Sequence, residues 1–293
     1  MKKVWELDFY SRPNFFDNNK KLWEVLICKT PTNFDKSFNS CFKFSQLCPS
    51  NTVNSIWLRQ AIEKAIEKAG ESPDLIRFFR HQMHNMIVKA CTDAKIEAIP
   101  SRRTFALNYW IDRREKKFQS IKSQNKNKVS TTCITNNDSN IVSLPDTLKD
   151  NQFNQYLFVD LKVSDFNHIH EWNINFGENY AISPYNLTPQ TTVPGLIFFS
   201  SRALPMAAWL SAFELVSLRF DKKNNSILYL ETGLNDRSVL TSLNNIQLIQ
   251  KAQNFQKKKE NSKGIHFLAI QPNPNAEFFS GFWLLKDDLV NKM

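Results

Sequence analysis

The chain has 293 residues, of which 42% are hydrophobic, 23% charged and 13% aromatic, the last led by 24 Phe. This is globular composition and enough chain for two hydrophobic cores, which excludes a disordered or fibrous protein. The formal net charge of +10 points to a polyanionic partner, nucleic acid or an anionic membrane surface, and with 6 Gly there is no glycine-rich phosphate loop.

The charge is uneven. Residues 1–150 carry 25 Lys and Arg against 16 Asp and Glu, whereas residues 151–293 carry 13 against 12, so the basic surface belongs to the first half. Val4–Phe9 and Leu22–Cys28 have strand composition and are joined by a polar turn near Asp17–Lys20; Cys41–Ser45 is a weaker third strand. From Asn54 to Lys68 the apolar residues Ile56, Ala61, Ile62, Ala65 and Ile66 fall at helical spacing, and Gly70 closes the helix. Leu75–Phe79 predicts a fourth strand running into a helix over Gln82–Ala94. Ile96–Ile99 is a fifth strand, and Ser101 is expected to cap a helix through Lys117. The order β-β-β-α-β-α-β-α is an α/β pattern with a mixed sheet and three helices, and by analogy of element order it is ribonuclease-H-like.

Lys122–Asn140 is rich in Asn, Ser, Thr and Lys and reads as a polar linker. The predicted organisation is therefore a basic domain over residues 1–118, a linker over 119–141 and a second α/β domain over 142–293. In the latter, strands are expected at Tyr156–Val163, Leu196–Ser200, Leu215–Phe220, Ile227–Glu231 and Ile265–Ile270, with helices at Ala203–Phe213 and Asn244–Lys259; Phe278–Leu285 is apolar and ambiguous. The two halves echo each other: Ile99-Pro100-Ser101-Arg102 and Phe199-Ser200-Ser201-Arg202 each read as a strand end, a capping Ser, an Arg and a helix with a Trp near its middle.

The five Cys (Cys28, Cys41, Cys48, Cys91, Cys133) form no close pair and have no His beside them, so buried reduced thiols are expected and a zinc site is not. His81 and His84 lack a visible third ligand. Val4–Phe9 reads as a strand, which leaves no signal peptide, and no apolar run approaches a membrane span. A cytoplasmic protein is the expectation.

Candidate chemistry lies at the strand-to-helix junctions. Arg102 and Arg103, Arg80 with His81, and Arg202 each sit where a helix is about to begin, and an Arg at the positive end of a helix dipole is disfavoured unless an anion is present. The segment Arg77–Lys89 interleaves basic, amide and aromatic groups suited to phosphates and bases. Phe78 and Phe79 are expected to pack on opposite faces of a strand, with Met83, Met86 and Ile87 in the core. A nuclease reading rests on Glu6 and Asp8 on one strand face, Glu24 beside them, Glu63 or Glu67 on the first helix, and a weaker pair, Asp146 with Asp160-Leu161-Lys162. It is weakened by Arg80, a cation where a ribonuclease-H-like site needs an acid at the end of the fourth strand.

Several longer motifs occur in order: Trp5-Glu6-Leu7-Asp8-Phe9, Ser11-Arg12-Pro13, Trp23-Glu24, Ile76-Arg77-Phe78-Phe79-Arg80, Gln82-Met83-His84-Asn85-Met86-Ile87 and Pro100-Ser101-Arg102-Arg103-Thr104 in the first half, then Pro194-Gly195-Leu196-Ile197, Phe199-Ser200-Ser201-Arg202, Glu231-Thr232-Gly233 and Gly281-Phe282-Trp283-Leu284-Leu285. Together they resemble the Tab-two/Atab-two family of cyanobacteria and plastids, nearly end to end, least over the linker and residues 164–190. The resemblance implies binding of single-stranded RNA, in messenger leaders, and translation activation of photosystem messages, especially those for photosystem I reaction-centre subunits. It implies no catalysis, no cofactor and no metal. Without a plastid transit extension, the chain resembles the cyanobacterial members. The residues expected to meet RNA are Arg12, Arg77, Arg80, His84, Asn85, Lys89, Arg102, Arg103, Ser201, Arg202 and Trp283. The alternatives are a metal-dependent nuclease of ribonuclease-H-like type, or a non-catalytic scaffold docking on the ribosome or on the thylakoid surface.

Overall fold

A computed structural model describes residues 2–17, 20–31, 38, 40–121, 141–143, 155–222 and 226–288. The protein is mixed α/β and divides into two compact units, one of residues 1–31 and 36–135, the other of 136–293 with 32–35.

The N-terminal unit is a five-stranded sheet: β1 (Val4–Asp17), β2 (Lys20–Lys29), β3 (Lys43–Cys48), β4 (Leu75–Phe78) and β5 (Glu97–Pro100), in the order β3-β2-β1-β4-β5. β1, β2 and β3 pair antiparallel, and β1, β4 and β5 pair parallel. Three antiparallel strands followed by two crossovers are compatible with the ribonuclease-H-like analogy.

Period-two alternation gives β1 two different faces. Trp5, Leu7 and Phe9 join Val25, Ile27, Ile76 and Phe78 in an apolar core. That core is closed by Leu58, Ala61, Ile62 and Ala65 of α1 (Ser55–Ala69) and by Ile87, Ala90 and Cys91 of α2 (His84–Asp93). α1 starts where the Asn54 side chain accepts a hydrogen bond from Trp57 N at 2.8 Å. It stops at Gly70, whose φ of +69° is readily available only to a residue without Cβ. Glu6, Asp8 and Tyr10 alternate with the core residues of β1.

α3 (Phe105–Ile121) begins later than the sequence pattern suggests. Ser101 does not cap it directly. The Ser101 hydroxyl accepts from Arg103 N at 3.0 Å, making a short side-chain turn, and the first helical bond runs from Asn108 N to the Thr104 carbonyl at 3.0 Å. Arg102 and Arg103 therefore lie in the approach to the helix. The other junction repeats the device: Ser200 Oγ accepts from Arg202 N at 3.1 Å, and α4 (Ala203–Leu210) follows.

The C-terminal unit holds two sheets. The larger runs β7-β9-β13-β14-β8, from β7 (Gln155–Lys162), β8 (Ile174–Glu178), β9 (Thr192–Phe199), β13 (Ile265–Gln271) and β14 (Phe279–Lys286). The smaller runs β10-β11-β12-β6, from β6 (Ile141–Ser143), β10 (Leu215–Asp221), β11 (Ile227–Thr232) and β12 (Asp236–Ser242). α4 and α5 (Ile246–Asn261) complete a core of Leu196, Phe198, Leu218, Leu230, Phe255, Leu268 and Trp283. The ambiguous apolar run resolves as β14. Three strands escape the sequence pattern. β6 has three residues, β8 is short and interrupted by Gly177, and β12 alternates too many polar groups to stand out. The linker read over 119–141 lies outside the described residues apart from the end of α3 and Ile141.

Candidate nucleic-acid interface

The second face of the N-terminal sheet is built of charge. Pairing across the strands sets Lys43, Cys28, Glu6, Arg77 and Ile99 in one row, and Glu24 opposite Tyr10 one strand away. Glu6 is fully buried. Its carboxylate accepts from Leu107 N at 2.7 Å and from the Thr30 hydroxyl at 2.9 Å. The free N–H groups at the start of α3, the anion site anticipated for phosphate, thus meet a carboxylate of the protein itself. Burial pushes the Glu6 carboxyl up to about 7, against the pull of Leu107 N–H, Thr30 and Arg77.

Farther along β1, Arg80 grips buried Asp8 through one edge of its guanidinium, Nε at 2.5 Å and Nη2 at 2.9 Å. Burial raises the Asp8 carboxyl and Arg80 opposes it. The same guanidinium lies 5.2 Å from the centres of both the Tyr10 and Phe79 rings. Beside it, buried Glu24 accepts from Arg114 Nη2 of α3 at 2.7 Å and from the Tyr10 hydroxyl at 3.0 Å, with Arg12 Nε at 3.2 Å. Burial and Glu24 together raise the Tyr10 phenol. Arg114 in turn stacks 5.4 Å from the Trp110 ring.

The result is a rim of three arginines anchored from below. Their side chains keep 12% (Arg12), 25% (Arg80) and 21% (Arg114) of their surface, whereas Asp8 keeps 0% and Glu24 3%. A guanidinium has five donors, so an arginine holding a carboxylate with one edge can offer another to phosphate while its ring face stacks.

The comparisons with known proteins agree with each other. Residues 4–114 match the family described as RNA-binding protein Tab2/Atab2 N terminal, and residues 131–286 match RNA-binding protein Tab2/Atab2, C-terminal domain. Two chloroplastic TAB2 homologues are similar along the whole chain. The one from Zea mays is 32% identical over 97% of this chain and 72% of its own length, and the one from Arabidopsis thaliana 31% identical over 97% and 75%. The chain belongs to the Tab2/Atab2 family of RNA-binding proteins. No solved structure matches it.

Within this family member the expected RNA residues fall into four groups. Arg12 and Arg80 stand in the rim. Arg77, Arg103 and Trp283 are buried, at 4%, 1% and 3% exposure, and as placed they offer no surface to RNA. Arg77 lies beside Glu6, the Arg103 guanidinium sits 5.5 Å from the Phe105 ring, and Trp283 belongs to the core of the C-terminal unit. His84 and Arg102 are half-buried, the His84 ring lying 5.5 Å from that of Phe78 and 6.2 Å from that of His81. Asn85 and Lys89 are exposed on α2, with Lys89 paired to Asp93 at 2.6 Å; Ser201 and Arg202 are exposed in the C-terminal unit. Sequence reasoning missed Arg114, Tyr10 and Trp110. Trp110 and Arg114 are one helical turn apart, a visible stacking pair. Nothing in the sequence alone tied Arg114 to Glu24, which is 90 residues away.

Four acids of the nuclease reading have cationic partners. Asp8 is held by Arg80, Glu24 by Arg12 and Arg114, Glu63 pairs with Arg59 at 3.3 Å on the α1 surface, and Asp160 bonds Lys258. Asp146 lies outside the described residues. Among the described residues, no three His, Cys, Asp or Glu converge to hold a metal.

Proposed function

We propose that the protein binds single-stranded RNA through the arginine rim of its N-terminal unit and that this binding serves translation activation of photosystem messages, above all those for photosystem I reaction-centre subunits. The observation that carries the binding surface is the anchoring of Arg12, Arg80 and Arg114 on buried Asp8 and Glu24, with Tyr10, Phe79 and Trp110 against their faces. Three cations over two carboxylates leave a positive rim. Its guanidinium groups are held in place before RNA arrives, which lowers the ordering cost of binding. The rim pairs phosphate-binding forks with two half-buried rings, Tyr10 and Trp110, on which bases can stack, the combination by which single strands are held. A catalytic reading has less support, because an arginine fork on Asp8 competes with the metal that nucleic-acid hydrolysis would need there.

The test neutralises one node without stranding a charge. Arg12, Glu24 and Arg114 are replaced together by Gln in the full chain. RNA affinity should drop, and the slope of log affinity on log salt should fall by about 0.7 for each phosphate that the variant no longer neutralises. A folded variant with wild-type affinity and slope rules the rim out. Cross-linking in the host, followed by sequencing of the bound RNA, checks the second half of the proposal: photosystem messages should be enriched, and their absence refutes it.

A further inference from the structure

α4 is anomalous for a surface helix. From Ala203 to Phe213 there is no charged residue, and the segment is apolar almost all round. A helix of that composition is ordinarily buried on every side. Here Ala203, Met206, Ala207 and Leu210 enter the core, while Leu204 keeps 50% and Phe213 42% of its surface and Trp209 is half-buried.

The exposed part is ordered. Ala212 N donates to the Trp209 carbonyl at 3.2 Å and Phe213 N to the Leu210 carbonyl at 3.0 Å, so a tight final turn fixes Phe213 beyond the helix. The Trp209 and Phe213 rings lie 4.6 Å apart, tilted by 59°. Arg202, exposed and just before the helix, is seven residues from Trp209, close to two turns, so the arginine and Trp209 lie on one side of the helix about 10 Å apart along its axis.

We infer that this stripe is a second RNA contact, a platform on which the bases of a single strand stack, with Arg202 at one end for the backbone. The inference rests on the RNA-binding reading above and places a separate contact in the C-terminal unit. Two observations favour RNA over another occupant. The chain is an RNA-binding family member whose C-terminal model spans this helix. The stripe from 202 to 213 carries no acidic side chain, and Glu214, the next residue, is half-buried. The half of the chain carrying the stripe is nearly neutral, 13 basic against 12 acidic residues, so the contact proposed here works through bases more than through charge. Stacking of this kind is sequence-tolerant, since every base has a flat face.

The experiment uses the full chain, a short oligouridylate and an abasic oligonucleotide of equal length. Trp209→Leu with Phe213→Leu keeps apolar bulk and removes the rings. Affinity for the oligouridylate should fall by about fivefold to a hundredfold, the usual cost of losing base stacking. The salt slope should stay unchanged, and the abasic strand should bind both proteins alike. The milder Phe213→Leu alone guards against misfolding, and should give part of the loss. Wild-type oligouridylate affinity in a folded double variant overturns the platform while leaving the rim standing. Loss of binding to anionic vesicles with RNA affinity retained also overturns it, in favour of a lipid-facing helix. A wild-type chain that binds no RNA at all removes the RNA reading and this inference together, a result easily told from the others.

Discussion

Replacing Glu6 with Gln deletes one titration from the heart of the N-terminal unit while keeping its shape. In the fold the Glu6 carboxyl sits at about 7 against 4.5 for an unburied Glu, because burial outweighs the two hydrogen bonds and the nearby Arg77. That difference corresponds to about 3 kcal/mol. The folded protein keeps a proton on Glu6 that the unfolded chain releases, so the raised value favours folding fully below pH 4.5 and that contribution is lost as pH rises through about 7. Gln has no such dependence. Denaturant titrations of wild type and Glu6→Gln across this range should show the variant gaining, relative to wild type, by about 3 kcal/mol from the acid end to the neutral end. Only the difference between the two proteins is used, so every other titrating group cancels. A difference independent of pH would mean that Leu107 N–H, Thr30 and Arg77 hold a carboxylate at its ordinary value. The claim that burial dominates would then fail.

The C-terminal unit should respond to acid in the opposite sense. Buried His266 accepts from Leu218 N on Nε2 at 2.8 Å and lies 2.8 Å from the Gly264 carbonyl through Nδ1, and burial lowers it to about 3. Stability from neutral His266 is present above pH 6.5 and is lost as pH falls toward 3, so His266→Gln should flatten the acid limb of the melting profile; parallel profiles would refute this. Arg102 and Arg103 should part company. Buried Arg103→Ala should cost several kcal/mol by disturbing a packed cation, whereas half-buried Arg102→Ala should cost less than about 1 kcal/mol. Equal melting temperatures for the two variants would contradict the burial difference.

Much of the fold could be read from periodicity. β1, β2, α1, α2 and the core strands β9, β10, β11 and β13 follow from apolar spacing and caps, since local pattern and tertiary packing agree there. β8 and β12 do not, because their pairing supplies what their composition lacks. The junction at Ser101 shows a finer limit. Ser, Arg and an apolar run are legible as a turn before a helix, but Ser101 bonding Arg103 moves the start of α3 to Phe105 and turns Arg103 inward. Glu6, Asp8 and Glu24 are legible as acids sharing a face. What they hold is not, because Leu107 N is 101 residues from Glu6 and Arg80 is 72 from Asp8. The rim is a product of tertiary pairing between residues that individually look like surface charge.

The cost of that rim bears on what it is for. Taking Asp8 and Glu24 out of water is expensive, and arginine pairing at best roughly offsets the desolvation; apolar side chains of similar size would serve stability as well or better. The opposite face of the same sheet takes the apolar solution, with Trp5, Leu7 and Phe9 packed under α1 and α2. The C-terminal unit also buries an acid between arginines: Glu231 accepts from Ser217 at 2.9 Å and pairs with Arg237 at 3.2 Å and Arg219 at 3.4 Å. Arrangements that contribute little to stability still fix the direction of a guanidinium, and a fixed guanidinium binds phosphate without first losing its rotamer freedom. In the N-terminal unit the buried acids accordingly hold the arginines above them in place, which is why we propose that the face that forgoes an apolar core is the one that meets RNA.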